Sequence, residues 1–485
     1  MTSSLQTYPL RAAGRLGGIF RATFKLFSIA IFSVIVLLLA GVSWELFSFF
    51  LVTAIFAVAL CLARPLSGRT LAGKKESFLS ASLVIWVFLM ISGVAFVHNQ
   101  STASAAKGHV DPTAVYQAIS WILCFFALAF ITWFRPAYLR RIFVGPIKWA
   151  PLFAIVVVLS CPLSSQPLYS LTLAFKLCVI VLILCAMGEA VDDEAGIHKV
   201  FVALFAGMLI VVMAEFITPF LGPDPFAGGR LGAMIGLSGT CGILLLLSLL
   251  FLWLKKNPWF LLCAIFSVVV MMLAGTKGGM VASFVSLMVF FFMLKRPAQA
   301  LVACVVFTVI FILACAFTPL GRSLQKYSES ENASTLTGRT NLWDATWPEI
   351  KAHIAFGKGY RASRFLSEEV PGAFQEAGNM HNSFLEVLYN NGLAGLIPIL
   401  IMNVIILLNL KKPLLQPSTL RMRYYAVAAF ALYTQLFVWG LVAVTFGGAP
   451  DDRFMVFFAV FLLSIVLRGQ SDRKYWNRVY GQHGS

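Results

Sequence analysis

Long apolar runs separated by short polar segments dominate the hydropathy pattern of this 485-residue chain. A membrane-spanning helix needs about 20 mostly apolar residues, and fourteen runs reach or approach that length. These runs lie near 27–43, 46–63, 78–97, 115–134, 149–164, 168–187, 197–217, 231–254, 257–274, 279–294, 298–317, 393–410, 422–444 and 452–467. Since three of them are short, the pattern predicts an all-α, polytopic membrane protein with 12–14 transmembrane helices.

The overall composition supports this prediction. Hydrophobic residues make up 60% of the chain and charged residues only 12%, whereas soluble domains carry about 25% charged residues. These values exclude both a water-soluble globule and a disordered chain. The nine cysteines fall in or beside apolar runs and lack the spacing of zinc ligands, so we expect neither a disulfide framework nor a metal site.

The positive charges indicate how the chain is oriented. The formal net charge is +17, and the cytoplasmic loops of membrane proteins are enriched in Lys and Arg. If the N-terminus is placed inside and fourteen spans alternate, 25 of the 37 Lys and Arg residues fall on the inner side and 11 on the outer side. The pattern therefore predicts two cytoplasmic termini, with the first apolar run retained as a span. It also accounts for the excess charge without a nucleic-acid partner.

One outer loop is far longer than the others, and it divides the chain into three parts. Residues 1–317 form a bundle of about eleven predicted spans, residues 318–392 form the loop, and residues 393–485 contain about three spans and a cytoplasmic tail. Loops of this length are usually functional or disordered. Because this loop contains Trp, Phe, Tyr and Leu, we expect it to fold into short helices and to carry the functional residues.

The first ordered part of the loop spans residues 336–353. Arg339, Trp343, Trp347 and Ile350 recur at helical spacing, which predicts a helix with one aromatic stripe and an arginine at its N-terminal end. An amphipathic helix at the membrane interface would also explain the two tryptophans. It would not explain Arg339.

The second ordered part reads GNMHNSFLEVLYNNGLAGLIPIL over residues 378–400. Asn391 and Gly392 are typical of a helix end, which predicts a short helix over about 380–390 that leads into the twelfth span. His381 would lie in its first turn, where the helix dipole disfavours imidazolium and keeps the neutral form that a general base needs. The alternative is a surface histidine without a chemical role.

Several further cations are predicted at the outer ends of the spans or in the long loop. Arg230 opens the eighth span, Lys277 lies in a very short turn, and Arg453 opens the fourteenth span. Interfacial snorkelling or local pairing would explain each of them separately. Together with Arg361 and Arg364, however, they would form a cationic outer cleft that suits a diphosphate, since arginine binds phosphate through two parallel hydrogen bonds.

These segments resemble a known family, the O-antigen ligase and polysaccharide polymerase superfamily of bacterial inner-membrane proteins. The family pattern combines a Gly-Arg, a nearby Trp, a Gly-x-Gly and a His-Asn that opens an aliphatic helix. Its counterparts in this chain are TGRTNLWDATWPEIKAHIAFGKGY (337–360), HNSFLEVLYNNGLAGL (381–396), GGRLGAMIGLSGTCG (228–242) and LAGTKGGMVASF (273–284). In the last segment the family usually has Ser-Arg where this chain has Thr276 and Lys277, which keeps the positive charge but loses bidentate geometry.

The resemblance implies a glycosyltransferase of the bacterial inner membrane with its active site on the periplasmic face. Such an enzyme transfers a glycan from undecaprenyl pyrophosphate to a sugar hydroxyl, with inversion and without a nucleotide, a cofactor or a metal. The residues that match the family or suit its chemistry are His381, Arg339 and Arg230 as catalytic residues, and Lys277, Arg361, Arg364, Asn382, Trp343, Trp347 and Arg453 as substrate-binding residues.

Three functions share this chemistry, and they differ in the acceptor. A polymerase joins repeat units of an exopolysaccharide or O-antigen, whereas a ligase transfers the finished glycan to lipid A-core. We favour the polymerase, and a protein O-glycosyltransferase is a third option. A chain-length regulator or a flippase would be a suitable partner.

A polysaccharide or lipid transporter is the alternative from another class, but few ionisable residues lie within the predicted spans and no half-to-half repeat is visible.

Overall fold

The computed structural model describes residues 71–95, 119–126, 128–129, 143, 145–221, 236–317, 339–366 and 378–472. In these ranges every regular element is a helix, and no strand occurs. The principal helices are α1 (Leu71–Ala95), α2 (Trp149–Ser160), α3 (Pro167–Ala190), α4 (Glu194–Ile217), α5 (Leu237–Lys255), α6 (Pro258–Ala274), α7 (Lys277–Met293), α8 (Pro297–Phe317), α9 (Arg339–Ala352), α10 (Ser383–Leu415), α11 (Leu420–Gly440) and α12 (Asp452–Ser471). The prediction of an all-α protein is confirmed.

Six of the described helical segments are long and apolar enough to cross a membrane. They are Pro146–Leu163, Pro167–Ala190, Glu194–Phe220, Leu237–Lys255, Ser383–Leu415 and Asp452–Ser471. Helices α6, α7 and most of α1 and α8 are apolar but shorter, and α11 is less apolar. The polytopic architecture is thus confirmed, whereas the total of 12–14 spans stays a prediction. The runs predicted at 27–43 and 46–63 lie outside the described residues, as does half of 115–134.

Helix α12 lies at the centre of the bundle. It packs against α10, α11, α3, α4 and α1, and its side chains from Phe454 to Leu467 are almost completely buried. Phe454 stacks on Phe458 with ring centroids 4.7 Å apart, and Phe457 stacks on Phe446 at 4.9 Å. This aromatic packing fixes the start of α12, which carries Arg453, and the segment before it, which carries Phe446.

One end of the bundle, which we call the loop end, gathers the starts of α5, α7, α10 and α12 and the end of α11. Asn382 at the start of α10 donates from Nδ2 to the carbonyl oxygen of Leu441 at 3.1 Å. Gly278 in the first turn of α7 faces Val442. The predicted site residues in the described ranges all lie at this end.

The opposite end of the bundle carries a second set of charges. Lys412 forms an ion pair with Asp472 at 2.7 Å, and Arg421 lies 3.6 Å from Glu194. That this end faces the cytoplasm stays a prediction from the distribution of Lys and Arg in the sequence.

Helix α10 is broken at Gly392, whose φ of 60° and ψ of −160° are not helical. The sequence predicts a helix end at this point, and the structure has two helical segments that meet at a kink at Gly392. A break inside a membrane helix leaves backbone groups without helical partners, and such groups must be satisfied within the protein. The loop satisfies them with four backbone hydrogen bonds: Lys358 N to Tyr389 O, Gly359 N to Asn390 O, Leu393 N to Ile354 O and Ala394 N to Ala355 O.

Two glycines allow this close approach of the loop to the helix. A Cβ on Gly392 would lie 2.5 Å from the backbone nitrogen of Phe356, and a Cβ on Gly357 would lie 2.5 Å from that of Asn391. Both glycines also have a positive φ, which other residues rarely adopt. The Gly-x-Gly of the loop and the Asn-Asn-Gly of the helix therefore form one docking joint.

Candidate active site

The predicted helix at the start of the loop is present as α9, and Arg339 is its first residue. The two tryptophans are four residues apart on this helix, as predicted, but they differ in exposure. Trp343 is half-buried and packs on an apolar cluster that includes Ile350, whereas Trp347 is 44% exposed. Helix α9 is thus anchored through one tryptophan and presents the other outward.

The prediction that His381 lies in the first turn of a helix is wrong. Helix α10 begins at Ser383, and Asn382 is its N-cap. The Asn382 Oδ1 atom accepts hydrogen bonds from the backbone N–H groups of Phe384 at 2.9 Å and Leu385 at 3.0 Å. His381 therefore precedes the helix, because the better-placed asparagine satisfies the free N–H groups of the first turn.

The backbone of His381 adopts a left-handed conformation with a φ of 49°. Its N–H donates to Oδ1 of Asn379 at 2.8 Å. Burial, together with the positive charge of Arg339, lowers the pKa of His381 from 6.5 to about 4. The neutral imidazole expected from the sequence is thus favoured by burial and a neighbouring cation.

A buried carboxylate, Glu386, lies one turn into α10. Its Oε1 atom accepts hydrogen bonds from Arg361 Nη1 at 3.2 Å, from Ser363 Oγ at 2.5 Å and from Asn390 Nδ2 at 3.1 Å. Its Oε2 atom accepts from the backbone N–H of Met380 at 2.9 Å. This network joins α10 to the loop on one side and to the segment of His381 on the other.

The two loop arginines predicted to bind substrate have different surroundings. Arg361 is 8% exposed, and its guanidinium is paired with Glu386. Arg364 is half-buried and lies against Gly378, where an added Cβ would be 2.8 Å from Arg364 Nη1. Arg361 thus belongs to the internal hydrogen-bond network of Glu386, whereas Arg364 packs against the segment that carries His381.

Arg453 lies beside the start of α5, at the other side of the loop end. Its Nε atom donates to Asp451 at 2.8 Å, and a second bond joins its Nη2 atom to the same carboxylate. The guanidinium also lies 5.3 Å from the ring centroid of Trp439. A buried carboxylate, Asp452, follows Asp451 in the chain. The charge of Arg453 is therefore largely balanced by acidic neighbours.

Lys277 is the first residue of α7. The next residue, Gly278, packs against Val442. The residue before Val442 is Leu441, whose carbonyl oxygen accepts a hydrogen bond from Asn382. The turn after α11 therefore links the start of α7 to the His381 segment. Arg230 lies outside the described residues.

The structure thus places the imidazole of His381, whose neutral form is favoured, within the electrostatic influence of Arg339, with Asn382 on the same segment and Arg364 against it. Lys277 and Arg453 lie at neighbouring helix starts. A neutral histidine can take a proton from a hydroxyl group, and a guanidinium can stabilise charge that develops on a phosphate. The arrangement suits an acid–base transfer in which an anionic group leaves.

The sequence interpretation did not assign a role to Glu386, Ser363 or Asn390. A signal for two of them was present, since Glu386 and Asn390 are four residues apart and share one face of the predicted helix. Polar residues on an otherwise apolar face indicate a buried network when they find partners. The partner residue Ser363 lies in the loop and carried no such signal.

Comparison with known proteins identifies a family match in the part of the chain that carries this site. Residues 262–400 match the family model described as O-Antigen ligase. The matched region contains α9, the docking joint at Gly392 and the segment of His381. No curated protein matches the chain. The match confirms the resemblance deduced from the sequence.

Proposed function

We propose that this membrane protein of the O-antigen ligase and polysaccharide polymerase superfamily transfers a glycan from undecaprenyl pyrophosphate to a sugar hydroxyl at its loop end. The observation that carries the proposal is the position of His381 beside Arg339, with the pKa of the imidazole lowered to about 4. Both residues lie in the region that matches the family. The loop end then faces the periplasm of the bacterial inner membrane, and both termini face the cytoplasm.

In the proposed reaction His381 accepts the proton of the acceptor hydroxyl while the oxygen attacks the anomeric carbon of the donor. The bond between that carbon and the pyrophosphate oxygen breaks, and lipid pyrophosphate leaves with an additional negative charge. Arg339 stabilises this charge. A single displacement of this kind inverts the configuration at the anomeric carbon.

The other predicted site residues have supporting roles in this proposal. Arg364, Lys277 and Arg230 contribute positive charge for the diphosphate, and the exposed Trp347 contacts sugar or lipid. Arg453 is a weaker diphosphate ligand because Asp451 already binds its guanidinium. Asn382 has both side-chain groups in internal hydrogen bonds, so its contribution is to hold the start of α10.

We favour polymerisation of lipid-linked repeat units, with another lipid-linked glycan as acceptor. The match to a family described as O-Antigen ligase supports a second candidate, transfer of the finished glycan to lipid A-core. The glycan profile of a deletion strain separates the two. A polymerase leaves single repeats attached to the final acceptor when it is deleted, whereas loss of a ligase leaves lipid-linked polymer and unsubstituted core.

A transfer assay with purified protein tests the activity itself. The protein in detergent, without any ion gradient, is expected to convert lipid-linked repeats into longer glycans. Transport of the glycan with no change in its length or acceptor would contradict the proposal and favour a transporter.

A further inference from the structure

The backbone of His381 is held in an unfavourable conformation. A residue with a Cβ costs about 1–2 kcal/mol in the left-handed region relative to the right-handed one, and the φ of His381 is 49°. Such conformations persist only where surrounding contacts fix them, and they cluster at functional sites. Contacts of the neighbouring peptide groups must therefore hold His381 in place.

The residue before His381 is bound from two different helices. The backbone N–H of Met380 donates to Glu386 Oε2 of α10 at 2.9 Å. The backbone carbonyl of Met380 accepts from Trp343 Nε1 of α9 at 2.8 Å. Met380 itself is fully buried, so water does not compete for either bond.

The peptide group between Met380 and His381 is thereby fixed at both of its polar atoms. Its carbonyl is bound by the indole of Trp343, and its N–H donates to Asn379 Oδ1 at 2.8 Å. A peptide group is planar, so two such bonds fix its orientation. The direction in which the His381 side chain leaves the backbone depends on that orientation.

The Glu386 carboxylate is itself held in a single position. Arg361 balances its charge, and Ser363 and Asn390 donate to the oxygen that does not bind Met380. A carboxylate with several donors in a buried site has little freedom to rotate, because every alternative leaves a donor without a partner.

We propose that Trp343 and Glu386 are positioning residues, which clamp Met380 from two helices and so direct the His381 imidazole toward the reacting hydroxyl beside Arg339. This inference rests on the proposed function, in which His381 is the general base. It assigns to Trp343 a different role from the substrate contact that the sequence suggests, whereas the exposed Trp347 keeps that role.

Phenylalanine variants of the two tryptophans separate positioning from substrate binding. Trp343→Phe keeps an aromatic ring but removes the indole N–H, and it is expected to lower kcat about tenfold with an unchanged KM for the lipid-linked donor, because misplacement of a catalytic group affects the chemical step. Trp347→Phe is expected to raise KM several-fold instead. Trp259→Phe, at an exposed tryptophan outside the site, is the matched control.

Hydrogen exchange provides a readout that is independent of activity. In Trp343→Phe the amide hydrogens of residues 378–382 are expected to exchange faster, while the thermal unfolding of the protein stays near that of the parent. A kcat equal to that of the Trp259→Phe control, or a change in KM alone, would overturn the proposed clamp.

A Glu386→Gln variant tests the other half of the clamp. An amide cannot accept from Met380 with one atom and from the three side-chain donors with the other, so faster exchange of residues 378–382 and a lower kcat are expected. His381→Ala distinguishes the two levels of the proposal. If it is inactive while Trp343→Phe resembles the control, only the clamp is wrong; if it is fully active, the proposed function fails and the clamp with it.

Discussion

Acidification tests the protonation state assigned to His381. Burial and Arg339 lower its pKa from 6.5 to about 4, which corresponds to about 3 kcal/mol in favour of the neutral imidazole. With this pKa about 90% of His381 is neutral at pH 5 and nearly all of it at pH 7. The fraction in the neutral, basic form therefore changes by only about 1.1-fold over this range. With the ordinary pKa the neutral fraction would fall about 25-fold between pH 7 and pH 5.

The assay is the pH dependence of kcat/KM, which reports ionisations of the free enzyme. Purified protein in proteoliposomes, supplied with a lipid-linked donor, is expected to show a nearly constant kcat/KM from pH 7 to pH 5 and an acid limb below that range. In Arg339→Gln one cause of the lowered pKa is absent, so the acid limb is expected to move to higher pH even though the rate is lower.

A control for denaturation is to hold the enzyme at pH 5 and then measure its activity at pH 7. A fall of about 25-fold between pH 7 and pH 5, with a midpoint near 6.5 and full recovery at pH 7, would refute the assigned environment of His381. An acid limb that stays in place in Arg339→Gln would show that the arginine does not act on the imidazole.

Three further substitutions have expected outcomes. Gly392→Ala places a Cβ within 2.5 Å of the Phe356 backbone and should lower the free energy of unfolding by about 3 kcal/mol, measured as a lower Tm; an unchanged Tm would contradict the docking joint. Glu386→Gln should destabilise the protein by about 3–5 kcal/mol because it leaves Arg361 without a charge partner, and the double variant with Arg361→Met should be more stable than Glu386→Gln alone. Lys277→Arg should lower the KM for the donor, since it restores bidentate phosphate geometry, and an unchanged KM would exclude contact between Lys277 and the diphosphate.

Much of the fold could be predicted because span positions depend on local composition. The runs predicted at 257–274 and 298–317 agree closely with Pro258–Ala274 and Pro297–Phe317. Gly392 was also informative, since a glycine after two asparagines favours a break in any context. These features need no knowledge of which helices are neighbours.

The parts that could not be predicted depend on contacts between distant positions. Asn391 donates to Ser160 at 2.7 Å across 231 residues of sequence, and Glu386 binds Ser363 across 23. Periodicity indicates that a residue is buried but does not identify its partner. For the same reason Arg361, predicted to meet a diphosphate, is bound to an internal carboxylate.

The N-cap illustrates how competing local signals are resolved. Asn379 is the N-cap expected for a helix over about 380–390, but the side chain of Asn382 can also accept from free N–H groups at a helix start. In the structure Asn382 is the N-cap of α10, and Asn379 accepts a hydrogen bond from the backbone N–H of His381. This division places His381 outside the helix, in the left-handed backbone conformation that the proposed clamp holds.

The most direct test of the central claim is glycan transfer by His381→Ala. The matched control is His353→Ala, since His353 lies in the same loop with an exposed side chain. We expect His381→Ala to lose at least about 100-fold in kcat while its Tm and membrane insertion stay unchanged, and His353→Ala to retain full activity. A folded His381→Ala variant that transfers glycan at the parental rate would contradict the account.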